Sequence, residues 1–206
     1  MNAAPRVGDA IPRRGSALLR AIGRAVLRAM GWHIEGEIPD EPKLVIAVAP
    51  HTSNWDFVVG MAAMFALDLR LSFLAKHTLF RGPFAPFMRW VGGIAVDRGS
   101  RHGVVGDAVA AFAREERRVL AIAPQGTRRA GARYRSGFIH IALGARVRIL
   151  LATLDYGARC VRLGPTFTPG EDVEAELARV EAFYANVRGK NPRDPQAVLV
   201  PPRTKA

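Results

Sequence analysis

Residues 44–67 read LVIAVAPHTSNWDFVVGMAAMFAL. Leu44–Ala49 is an unbroken apolar run with the length of a strand buried on both faces. Phe57–Leu67 is a longer run without charge and fits a buried helix. Between them lies the polar segment Pro50–His51–Thr52–Ser53–Asn54–Trp55–Asp56. Strand, short polar turn and helix in that order are the opening of a βαβ unit. Open α/β sheets place their sites just beyond the carboxyl ends of strands, so this turn is the first place to look for chemistry.

The same alternation continues along the chain. Leu71–Ala75, Ile94–Val96, Val119–Ala123, Ile149–Leu154 and Ala158–Leu163 read as strands. Gly103–Arg114, Ser136–Gly144 and Val173–Val187 read as helices. Residues 79–93 hold Phe80, Phe84, Phe87 and Trp90 amid Gly82, Pro83 and Pro86, which argues against one continuous helix. Those aromatics fit a core more readily than a lipid-facing groove. The expected fold is a single α/β domain over residues 34–190, with a mixed central sheet flanked by helices. Residues 1–15, with Pro5, Pro12 and Gly15, read as a flexible lead. The tail from Asn191, with four prolines, reads as loosely ordered.

Charge is the unusual feature of the composition. Thirty Lys and Arg face 18 Asp and Glu, a net +12 over 206 residues. Such an excess points to an anionic partner. Much of it lies at the ends. Residues 1–33 hold six Arg against Asp9, and residues 187–206 hold five basic residues against Asp194. No recognition-helix or aromatic RNP-like pattern accompanies it, so no nucleic acid is expected. Residues 16–31 form an amphipathic pattern, with Arg20, Arg24 and Arg28 on one stripe and Leu19, Ile22, Val26 and Met30 roughly opposite. The pattern fits a helix docked on its own domain with a solvated Arg face. It also fits a helix lying on anionic lipid, which makes 16–33 a membrane-associating segment. No run approaches the roughly 20 apolar residues of a spanning helix, and the Arg-rich start lacks a signal-peptide core. The expected location is the cytoplasm, peripheral on the inner face of the membrane. The single cysteine, Cys160, lies in an apolar run and reads as a buried small hydrophobe.

Nucleophile elbows, P-loops, dinucleotide fingerprints and H-E-x-x-H are all absent, and no metal site is expected. What remains is His51 to Asp56, an H-x-x-x-x-D spacing. Another such spacing, His102 to Asp107, lies in a polar segment where Asp107 reads as a first-turn helix acid. The chain resembles the phospholipid/glycerol acyltransferase family in four ordered blocks over residues 45–153. These are Pro50–Asp56, Gly92–Arg98, Ala123–Arg128 and, as a partial match, Val147–Leu151. They are similar to the family's H-x-x-x-x-D, G-x-(I/F)-x-x-x-R, P-E-G-T-R and V-P-(I/V)-(V/I) blocks. The resemblance implies transfer of a fatty acyl group from acyl carrier protein or coenzyme A to a lysophospholipid-like hydroxyl. It implies His51 and Asp56 as the catalytic pair, and Arg98, Gln125, Gly126, Thr127 and Arg128 as the acceptor site. No bound cofactor is expected, the thioester being a co-substrate.

The chemistry is consistent with that resemblance. An imidazole takes the proton of the attacking alcohol as the new bond forms. A carboxylate on its other nitrogen fixes the tautomer and stabilises the imidazolium. No Ser or Cys nucleophile is required. The developing oxyanion needs donors, for which peptide N–H groups near Gly126 or in the first turn after His51 are candidates. Arginines suit an acceptor phosphate through bidentate contact. Three positions depart from the family pattern. Gln125 stands for Glu, Arg129 for a small Ser, and Arg148 for Pro. They bear on which substrate is bound, and Gln125 also raises the alternative of a catalytically impaired, peripheral lipid-binding relative.

Overall fold

A computed structural model describes residues 5–96, 101–126 and 134–191. Strand β2 (Lys43–Ala49) lies at the middle of a seven-stranded sheet, which accounts for its unbroken apolar run. On one side it pairs in parallel with β5 (Arg118–Ile122). On the other it pairs in parallel with β6 (Arg148–Asp155). Beyond β5 lie β3 (Ser72–Lys76) and then β4 (Gly93–Val96), also parallel. Beyond β6 lie β7 (Cys160–Phe167), antiparallel to it, and β1 (His33–Gly36), parallel to β7. The sheet is therefore mixed and the fold α/β, as expected.

Side chains alternate across β2 into two cores. Leu44 and Ile46 face α1 (Ala17–Ala29) and α2 (Trp55–Ala66), with Val59, Met64 and Leu27. Val45, Ala47 and Ala49 face α4 (Arg101–Arg114), α5 (Gly137–Ala145) and α6 (Val173–Tyr184), with Phe112, Phe138 and Val180. Strand β1 has no counterpart in the sequence reading, because HIEG is four residues with a single apolar side chain. Strand β7 runs on through Pro165. Its pairing with β1 ends at Leu163, so Pro165 needs no N–H on that edge. Asp107 lies in the second turn of α4 and is exposed, not in the first turn as expected.

Two segments are more tightly held than their composition suggests. In the expected flexible lead, Ile11 is fully buried in the core. The peptide N–H groups of Ala10 and Ile11 both donate to Asp40 Oδ1, and Pro12 O accepts from Arg70 N. Helix α1 is capped by Ser16, whose Oγ accepts from Leu19 N at 3.2 Å. It docks on α2 through Gly23, where an added Cβ would lie 2.5 Å from Ala66 N and 2.6 Å from Ala62 O. The close approach buries Gly23 and Leu27, yet leaves Leu18 70% and Ile22 44% exposed. Leu18, Ile22, Ala25 and Ala29 thus form an outward apolar stripe between the docked face and the Arg stripe.

After β3 the chain makes two 3-10 turns, His77–Phe80 and Gly82–Phe84, and then α3 (Ala85–Trp90). Pro83 and Pro86 are accommodated in the first turns of these short pieces. Ala85 and Met88 point inward, while Phe84, Phe87 and Trp90 are exposed, contrary to the expectation of a core role. No helix among the described residues is long and apolar enough to cross a membrane.

Candidate active site

Because β2 is flanked by β5 and β6, the turns following all three strands meet at one edge of the sheet. The turn after β2 carries His51 and leads into α2, whose first turn holds Asp56. His51 Nδ1 lies 3.2 Å from Asp56 Oδ2. The His51 side chain is 31% exposed and the Asp56 side chain 1%. The carboxylate is thus shut away while the imidazole remains open to a substrate. With Nδ1 engaged, Nε2 is the nitrogen available to an alcohol.

Both oxygens of Asp56 accept hydrogen bonds. Oδ2 also accepts from Thr52 N at 2.6 Å and from Ser53 N at 2.8 Å. Oδ1 accepts from the Tyr156 hydroxyl at 2.8 Å. Burial opposes ionisation of this carboxyl, but the bonds from His51, Ser53, Tyr156 and Thr52 outweigh it and hold it below the usual carboxylate range. Its place in the first turn of α2 favours the anion further. Burial first, and then Asp56 itself, push the Tyr156 phenol up, so Tyr156 stays a donor at neutral pH.

Tyr156 comes from the turn joining β6 to β7. Asp155 Oδ1 closes that turn by accepting from Gly157 N and Ala158 N. The Tyr156 ring meets Trp32, just beyond α1, edge-on at a centroid distance of 4.8 Å. On its other side, Tyr156 N donates to Arg188 O. Residues 188–191 then continue across the His51–Asp56 turn. Asn191 Nδ2 donates to Thr52 O at 2.9 Å, and Lys190 Nζ lies 4.6 Å from the centre of the Trp55 ring. Asn191 is therefore tied to the domain, contrary to the expectation of a loose tail starting there, and the rest of that tail lies outside the described residues.

The turn after β5 carries Gln125, which is 2% exposed. Its Oε1 accepts from His51 N at 3.1 Å. The amide thus holds the backbone of His51, a job that needs one carbonyl-type oxygen and no charge. Gly126 follows with φ +62°, a conformation that favours glycine, and its N–H donates to Ala123 O. Thr52 and Ser53 spend their N–H groups on Asp56. Of the oxyanion candidates, the N–H groups of Gly126, Thr52 and Ser53 are therefore engaged within the protein. Arg98, Thr127, Arg128 and Arg129 lie outside the described residues.

Arg148 is not at this site. It opens β6 opposite Leu44, at the amino end of β2. There it pairs with Glu41 at 2.7 Å and donates to Thr166 O at 3.1 Å. It joins the β1–β2 connection to β7, so its departure from the family pattern concerns the sheet rather than the acceptor. Cys160 is fully buried, and burial and then Glu35 push its thiol up to about 11. It is a poor nucleophile there.

The profile of the acyltransferase family matches residues 32–154, which include His51, Asp56 and Gln125. The chain belongs to the acyltransferase family. The enzyme's fold is similar to that in the crystal structure of the 1-acyl-sn-glycerophosphate (LPA) acyltransferase PlsC from Thermotoga maritima. The TM-score is 0.54 with 16% identity, over 84% of this chain and 80% of that chain. At this identity the likeness is one of fold. No curated protein sequence matches the chain. The family match stops two residues before Tyr156, the one partner of Asp56 that the motif reading of this acyltransferase missed. The available signal was the Asp155–Tyr156–Gly157 turn between two strands, together with the placing of β6 beside β2.

Proposed function

We propose that this acyltransferase moves a fatty acyl group from acyl carrier protein or coenzyme A to the hydroxyl of a lysophospholipid-like or glycerol-phosphate-like acceptor. The observation that carries the reading is the buried Asp56, bonded at both oxygens and set 3.2 Å from Nδ1 of a half-exposed His51. His51 Nε2 accepts the acceptor's hydroxyl proton as its oxygen attacks the thioester carbonyl. Asp56 holds the ring and stabilises the imidazolium. The tetrahedral adduct collapses by breaking the C–S bond, and the imidazolium returns the proton to the departing thiolate. An ester and a free thiol result.

Arg98, Thr127 and Arg128 are assigned to the acceptor phosphate on the family blocks, and Gly126 to the loop that carries them. Gln125 retains the oxygen that fixes His51, which favours an active enzyme over an impaired relative. The outward stripe of Leu18 and Ile22 on α1, with Arg24 and Arg28 beside it, suits an anionic bilayer surface and a peripheral location on the inner face of the membrane. Exposed Phe84, Phe87 and Trp90 on α3 supply further apolar contact.

The test is acyl transfer to lysophosphatidic acid and related lysolipids by the wild type and by His51→Ala. Loss of the base lowers the rate by about two to four orders of magnitude. Full activity in the variant removes His51 from the mechanism. Lipid mass spectrometry of cells with and without the gene then identifies the acceptor as the lysolipid that accumulates.

A further inference from the structure

A second, separate concentration of charge lies at the amino ends of β3 and β5. The rise along β2 sets it about 20 Å from the His51 end of the sheet. A cleft of about 500 Å³ opens there. Among its lining residues are Arg14, Arg70, Arg89, Arg117 and Arg118, with Glu115 as the one lining acid. Glu115 is already paired with Arg118. Beyond the lining, Asp9 and Asp68 both pair with Arg13, and Asp68 also accepts from Ser16 N.

Two of these guanidinium groups are fixed; Arg118 is paired with Glu115, whereas Arg14 has no ion pair among the described residues. Arg14 Nη2 donates to Val91 O at 2.9 Å, and its plane lies over the Phe65 and Trp90 rings. Arg118 is only 8% exposed and lies over Phe112. In each, the buried Nε has no hydrogen-bond partner among the described residues. Burial, and then the charge of Arg70, lower the pKa of Arg14, outweighing the opposing charge of Asp68. Buried N–H groups seldom stay unpaired, and a planar guanidinium best matches the oxygens of a phosphate. The cleft is larger than inorganic phosphate needs, and Leu19, Leu71 and Trp90 line it beside the arginines.

We propose that this cleft binds a phosphate ester, at a site separate from acyl transfer. The phosphate sits among Arg14, Arg70 and Arg118, and its organic substituent lies against Leu71 and Trp90. The ester comes either from an anionic lipid headgroup, reached from the surface where α1 and α3 expose apolar side chains, or from a soluble metabolite.

The probe is inorganic phosphate, titrated calorimetrically into the full chain and into Arg70→Gln, Arg118→Met and the charge-matched control Arg162→Gln. Saturable binding is expected, weakened about tenfold or more by either cleft substitution and unchanged by the control. Arg70 is exposed, so Arg70→Gln carries the test if Arg118→Met fails to fold. Cosedimentation with vesicles of phosphatidic acid in phosphatidylcholine separates the two sources. A lipid source predicts that Arg70→Gln releases more protein than Arg162→Gln and that inorganic phosphate competes with the vesicles. Phosphate binding sensitive to Arg70, with vesicle binding indifferent to it, identifies a soluble ester. Absence of saturable phosphate binding, or equal affinity in Arg70→Gln and Arg162→Gln, overturns the proposal. Neither readout depends on turnover, so the outcome is independent of the assigned reaction.

Discussion

The two ends of the sheet treat buried charge in opposite ways. At the carboxyl end, Asp56 is enclosed, and four donors from two separate segments meet it. At the amino end, several guanidinium groups share one cleft, and two buried Nε atoms remain unpaired. A carboxylate already bonded at both oxygens is suited to holding His51 in place. An unsaturated cation cluster is incomplete until an anion arrives. One end is built to position and the other to receive, so substitutions at the two ends should register in different measurements.

The largest difference is expected from Asp56→Asn. It keeps the volume but removes the charge that supports the imidazolium, and it places an NH2 among groups that donate. We expect kcat to fall by about three orders of magnitude with KM changed far less. A fall confined to KM would mean that Asp56 acts on binding. Next is Tyr156→Phe, which leaves Oδ1 without a hydrogen bond and the ring packing intact. We expect kcat to drop by roughly tenfold at unchanged KM, the worth of one hydrogen bond to a charged group. Because Asp56 becomes more basic, the acid limb of the pH profile of kcat/KM should move to higher pH. His51 and Tyr156 are the titratable groups in contact with it, and no other described acid touches either.

Stability supplies a smaller effect. Asp56 is held below its unfolded value, so its contribution is complete above the ordinary carboxylate range near pH 4. That contribution is lost as pH falls through the depressed native value. Denaturant titrations from neutral pH downward should therefore show a shallower acid loss in Asp56→Asn than in the wild type. The smallest expected effect on turnover is that of Arg70→Gln. With a water-soluble acceptor its kcat/KM should stay within about twofold of wild type, although its phosphate binding weakens. A large loss of turnover would join the two ends functionally and end the contrast.

The α/β order was readable because parallel strands buried on both faces appear as short, uninterrupted apolar runs, as in β2 and β6. His51 and Asp56 were readable because one local turn contains both. Tyr156 was not, since it lies 100 positions from Asp56 and reaches it only because β6 pairs beside β2. No local pattern encodes that adjacency. Arg148 shows the converse. It belongs to a family block near the site in sequence, yet it begins β6 at the far end of the strand. The amphipathic α1 divides its apolar side between a docked face and an outward stripe. Periodicity alone does not separate the two, because the docked face is centred on Gly23, which has no side chain to reveal it.

The lacing of residues 188–191 over the catalytic turn carries a consequence for synthesis. Thr52 and Asn191 are 139 positions apart. At about 5–20 residues per second, the ribosome delivers Asn191 on the order of ten seconds after Thr52. Through that interval the nascent chain holds His51 and Asp56 in one turn, but lacks first the Tyr156 donor and then the segment that ties the turn down. His51 therefore reaches its final setting only after Asn191 has been made, long after its own turn has left the ribosome.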